Sequence, residues 1–232
     1  MKRFVLVGWI VCAVLATEAQ TTKPNIVYVY DPLCSWCYTF DPVMDQLHDK
    51  YKGHVDFSVV SGGMIIGSRK KPVSFMEEYI LAGYKDMENL TGIKFGDAYL
   101  ALVKQGTDLL DSEKPSNAVV AYNALHSDRI LEFVHELQSA YFLYGNSLNQ
   151  DSTYLKMAQK FQLDGLSFLG QMKSDSVQKS TQDNFKKVED SGISAFPTLL
   201  LRINGKVLPI VEGFEKFEKL DKKIAKLLKE NK

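Results

Sequence analysis

The chain has 232 residues, 45% of them hydrophobic, and its 28 lysines and arginines balance its 28 aspartates and glutamates. That length and apolar content allow one large domain, or a domain with an insertion, around a substantial core. Zero net charge supplies no basic field for nucleic acid or for an anionic lipid surface, which excludes both as main partners.

In chain order, Lys2-Arg3, the apolar run Phe4 to Leu15 and the small residues of Ala16-Thr17-Glu18-Ala19 follow the pattern of a secretory signal peptide over residues 1–19. An apolar run of about 12 residues falls short of the roughly 20 that a membrane-spanning helix needs. The expectation is an exported protein, periplasmic or secreted, with no membrane attachment after cleavage.

Ile26 to Tyr30 is near-continuous in apolar, β-branched and aromatic residues and reads as a buried strand. A helix is expected from Ser35 to about Lys52, with Phe40, Met44, Leu47 and Tyr51 on one face and Pro42 as a kink, ended by Gly53. Val55 to Val60 is a second buried strand, broken by Ser61-Gly62-Gly63.

From Met64 to Lys173 the pattern is helical throughout, with no strand. Pro72 and Pro115 open two helices, and Asp97 caps a short one before Gly106. Ile130, Phe133, Val134, Leu137, Tyr141 and Tyr144 repeat at helical steps, and shorter pieces follow at Tyr154 to Phe161 and Leu166 to Met172. After a helix from Asp175 to Asp190, Asn204-Gly205 joins two β-type runs, Thr198 to Ile203 and Lys206 to Val211, as a hairpin. A last helix spans Phe214 to Leu228. The fold class that follows is α/β: a mixed sheet with helices on both faces, built from 24–63 and 174–232, with a large all-helical insertion over 64–173.

The chemistry sits at Cys34-Ser35-Trp36-Cys37, directly after the first strand. The chain has three cysteines, and Cys12 falls in the removable segment, so one pair remains. A single pair makes no disulfide framework, and the four histidines, His48, His54, His126 and His135, have no metal-ligand spacing, so neither a metal nor a cofactor is expected. A loop that opens a helix puts the first sulfur where unpaired backbone N–H groups and the helix dipole stabilise its thiolate. Cys34 is therefore the expected nucleophile. Cys37, one turn on, resolves the mixed disulfide that Cys34 forms.

Asp31-Pro32-Leu33-Cys34-Ser35-Trp36-Cys37-Tyr38, with Pro42 behind it and Ala195-Phe196-Pro197-Thr198 before the hairpin, resembles the thioredoxin superfamily, and within it the DsbA family and its FrnE-like members with a helical insertion. The resemblance implies a thioredoxin fold and a thiol-disulfide oxidoreductase whose redox-active disulfide joins Cys34 and Cys37. It further implies a cis Phe196–Pro197 bond against the Cys34 sulfur, with Trp36, Phe196 and Pro197 meeting the substrate. Partners would be cysteine-containing protein substrates and a redox partner that the sequence does not identify.

Two departures from the family stand out. The buried acid that thioredoxin and DsbA carry six residues before the nucleophile is replaced by Tyr28, and Asp31 is expected in the loop, where its charge would disfavour the Cys34 thiolate. Ser35-Trp36 supplies no histidine between the cysteines, which implies a less oxidising site than that of DsbA. Alternatives on the same fold are a glutathione-dependent small-molecule isomerase or transferase and a non-catalytic peptide-binding or chaperone module.

Overall fold

A computed structural model describes residues 23–231. The signal-peptide reading of 1–19 and Cys12 lie outside the described residues.

The apolar run after Asn25 becomes β1 (Asn25–Tyr30), the strand on which the molecule is organised. It pairs in parallel with β2 (Asp56–Ser61), Ile26 opposite Phe57 through Tyr30 opposite Ser61, and antiparallel with β5 (Thr198–Ile203). β5 turns at Asn204-Gly205 into β6 (Lys206–Glu212), giving a mixed four-stranded sheet in the order β2-β1-β5-β6. Successive side chains of a strand face opposite ways. Val27 and Val29 accordingly pack with Val188, while Ile26, Tyr28 and Tyr30 enter the main core. Burial on both faces is why β1 reads as an unbroken apolar run rather than an alternating one.

The helix after the cysteines is two helices, α1 (Ser35–Tyr38) and α2 (Asp41–Tyr51). Pro42 has no N–H to offer Tyr38, and its ring crowds the carbonyl one turn back. The ladder therefore shortens at the join, Phe40 N–H donating to Cys37 O at 3.0 Å and Val43 N–H to Phe40 O at 2.9 Å. The expected kink is a full break.

Between the two sheet-forming stretches lie α3 (Glu77–Thr91), α4 (Asp97–Gln105), α5 (Glu113–Leu125), α6 (Ile130–Phe142), α7 (Asp151–Lys160) and α8 (Gly165–Met172). One expectation fails here: β3 (Lys71–Pro72) and β4 (Leu109–Leu110) form an antiparallel pair, too short to leave any periodicity in the sequence. Pro72 ends this short strand and caps a 3-10 turn, Val73–Met76, that leads directly into α3. Tyr144 also departs from its expected place, since α6 ends at Phe142 and leaves that ring 61% exposed.

α9 (Asp175–Asp190) and α10 (Phe217–Glu230) complete the fold, α9 over the Val27 and Val29 face and α10 against α2 and β6. Phe214 falls short of α10 and packs on Trp36 and Phe40, with ring centroids 5.8 and 5.9 Å away. The helical segment and the sheet share one core. Tyr38 of α1 stacks on Phe142 of α6 at 5.1 Å and 21°, and its hydroxyl donates to Lys94 O at 2.9 Å.

Candidate active site

Cys34 caps α1 with extended backbone (φ −84°, ψ 111°), and its carbonyl accepts the N–H groups of Cys37 at 3.0 Å and Tyr38 at 3.1 Å. Both cysteines are free thiols, Cys34 6% exposed and Cys37 wholly buried. α1 is a single turn, so few aligned peptide dipoles point at Cys34. Burial, followed by the hydrogen bond and charge of Cys34, pushes the Cys37 thiol well above the ordinary cysteine value. Cys37 therefore keeps its proton until a partner takes it.

Opposite the sulfur, the Phe196–Pro197 peptide is cis, and the Phe196 carbonyl lies 3.6 Å from Cys34 Sγ. Two bonds hold this loop, Thr198 Oγ1 to Ala195 O at 2.7 Å and Gly213 N–H to Pro197 O at 2.7 Å. A side chain on Gly62 would overlap the tip of the Phe196 ring, which would have to move to admit one. Trp36 is half-buried beside Phe214. The structure thus brings Cys34, Cys37, Phe196 and Pro197 together, with Trp36 on the rim.

Tyr28 sits below the pair and donates to Cys37 O at 3.4 Å. Asp31 lies in the loop after β1, as expected, but it is wholly buried there. Its Oδ1 accepts from Leu33 N–H at 3.0 Å and the Ser112 hydroxyl at 2.9 Å, and its Oδ2 from Met64 N–H at 2.7 Å. Burial lifts its pKa from 3.8 to about 6 against the pull of those three donors. A buried acid is therefore present, supplied three residues after the strand position where the family carries it, and its charge adds to the rise of Cys37.

Two further groups were not signalled by any motif. Asp41, buried at the start of α2, has Oδ2 3.1 Å from His135 Nδ1 of α6, an ion-pair contact whose angles fall short of a hydrogen bond. Burial raises Asp41 from 3.8 to about 6, and the carboxylate beside it pushes His135 up. Gln138, wholly buried on α6, donates its Nε2 to Asp31 O at 3.2 Å and Cys34 O at 3.3 Å. Among the described residues, no three His, Cys, Asp or Glu side chains converge as a metal set, and no helix is long and apolar enough to cross a membrane.

A central strand feeding a Cys-x-x-Cys turn that faces a cis-proline loop defines a thioredoxin fold with a paired-cysteine site. A family model described as Thioredoxin matches residues 28–218, and the chain belongs to that family. The chain is similar in structure to a putative protein disulfide isomerase from Nitrosomonas europaea, at 22% identity and a TM-score of 0.78, with 91% of this chain and all of that one covered. It is also similar to the cytosolic disulfide reductase DsbM from Pseudomonas aeruginosa, at 23% identity and a TM-score of 0.71, covering 89% and 98%. In sequence it is 23% identical over 183 residues to the ClpXP adapter protein SpxH of Bacillus subtilis, covering 76% of this chain. The chain spans 58% of that relative's length.

These matches correct the expectation of an exported, periplasmic or secreted protein. DsbM is named as cytosolic, and the curated relative as an adapter of ClpXP. The export reading rested on a short basic and apolar pattern at the start of the sequence alone.

Proposed function

We propose that the protein is a thiol-disulfide oxidoreductase acting on cysteine-containing protein substrates. The observation that carries this reading is the buried Cys34–Cys37 pair with Cys34 Sγ 3.6 Å from the Phe196 carbonyl beside Pro197. Cys34 thiolate attacks one sulfur of a substrate disulfide, forming a mixed disulfide and releasing the other substrate sulfur as a thiolate. Cys37 then gives up its proton and attacks Cys34; the Cys34–Cys37 bond forms, the substrate leaves as its second thiolate, and the pair has passed two electrons to it. The same steps in reverse oxidise a dithiol. Phe196 offers its carbonyl to an extended substrate backbone, Pro197 presents no competing N–H, and Trp36 provides apolar contact at the rim.

Cys34→Ser abolishes insulin reduction and refolding activity in this reading, and Cys37→Ala accumulates mixed disulfides that gels under non-reducing conditions reveal. Full activity in Cys34→Ser sinks it. The SpxH match favours one second reading, a protein-binding adapter in which the pair is dispensable. Substrate capture that survives loss of both cysteines would support that reading instead.

A further inference from the structure

Gln138 stands on the core face of α6 among Val134, Leu137, Tyr141 and Phe142, a place where leucine or methionine would pack without polar atoms. Its two partners, Asp31 O and Cys34 O, are acceptors only, so the amide nitrogen must face them. That orientation leaves Oε1 buried with no partner among the described residues. An orphaned acceptor of this kind costs stability.

Backbone need does not account for the residue. Asp31 O already accepts the Cys34 N–H at 3.1 Å, and Cys34 O already accepts from Cys37 and Tyr38. What Gln138 adds is electrostatic. Both carbonyls lie in the loop that carries the Cys34 sulfur, and their partial negative charges oppose a thiolate there. The Nε2–H₂ group offsets both at once, from a helix more than 100 positions along the chain.

We propose that Gln138 is a positioning residue that tunes the Cys34 thiolate, and through it the balance between dithiol and disulfide. The inference rests on the oxidoreductase reading. Reduction of the Cys34–Cys37 disulfide takes two electrons and one proton to give a Cys34 thiolate and a Cys37 thiol, so a group that favours the thiolate favours the reduced pair. Removing it makes the site more reducing.

The test uses the full chain and two near-isosteric variants, Gln138→Met and Gln138→Glu. Cys34 acidity is read from the pH dependence of alkylation, the pair's equilibrium from glutathione buffers, and stability from urea unfolding. Gln138→Met is expected to raise the Cys34 pKa and shift the equilibrium toward disulfide by roughly three- to tenfold, the range one hydrogen bond is worth, with stability unchanged or higher. Gln138→Glu, with an acceptor in place of the donor, is expected to shift it further the same way and serves alone if the methionine variant does not fold. Unchanged acidity and equilibrium overturn the proposal, whether or not stability falls. A wild-type chain that equilibrates with glutathione but exchanges with no protein disulfide overturns the oxidoreductase reading instead, since the equilibrium of the pair is measurable without any protein substrate.

Discussion

Asp31 is wholly buried with a pKa lifted from 3.8 to about 6, and this makes the fold's stability depend on pH in a stated direction. A carboxyl that holds its proton more tightly folded than unfolded adds stability that is fully present below the unfolded value and is lost as pH rises through the folded one. The rise corresponds to about 3 kcal/mol, of which about 2 kcal/mol is gained between pH 7.5 and pH 4. Asp41, raised to about 6, titrates in the same interval and obscures the wild-type curve taken alone. Comparison with Asp31→Asn isolates the group. The amide cannot accept from both Leu33 N–H and Met64 N–H, so the variant starts roughly 1–3 kcal/mol less stable, whatever the pH. It also lacks the proton-linked gain, so the gap between the two proteins should widen by about 2 kcal/mol from pH 7.5 to pH 4. Urea unfolding at half-unit steps measures that gap. A gap that stays constant, or narrows toward acid, refutes the reasoning.

Gly62→Ala drives a methyl group into the Phe196 ring; we expect a stability loss of about 1–3 kcal/mol and a disproportionate fall in kcat/KM for disulfide reduction, because moving the ring shifts the residue whose backbone carbonyl faces Cys34. Wild-type kinetics in a folded variant would show that the loop tolerates the shift. His135→Ala removes the cation from the buried Asp41, and since His135 is raised above 6.5, the stabilisation it gives is present at that pH and fades as pH rises through its folded value. The imidazole is more than a third exposed, so the expected loss at pH 6.5 is only about 1 kcal/mol after solvent screening, shrinking by pH 8.5. Chemical denaturation at the two pH values tests it, and a loss that grows with pH contradicts the pairing.

The parts legible in the sequence are those written in neighbouring residues. Cys34-Ser35-Trp36-Cys37, the buried run of β1 and the Asn204-Gly205 turn each carry their meaning within a few positions, and the sheet follows from them. The parts that were not legible join distant residues. Ser112 meets Asp31 across 81 positions and Gln138 meets Cys34 across 104, and helical periodicity assigns a residue to a face without saying what lies opposite. Gln138 breaks the apolar stripe of α6, yet a buried glutamine and a solvated one look alike in sequence. The burial of Asp31 within its loop was hidden for the same reason, since it depends on Met64 and Ser112 closing over it. The export reading failed differently, through a pattern complete in itself that made no reference to the rest of the chain.

The contact between Cys34 Sγ and the Phe196 carbonyl joins residues 162 positions apart. During synthesis the thiols therefore emerge long before the loop that covers them. At about 5–20 residues per second, roughly 10–30 s separate the two. Through that interval the nascent chain carries a Cys-x-x-Cys pair that already has its sequence but lacks Ser112, then Gln138, then Phe196, and it acquires the finished site only when its last quarter has been made.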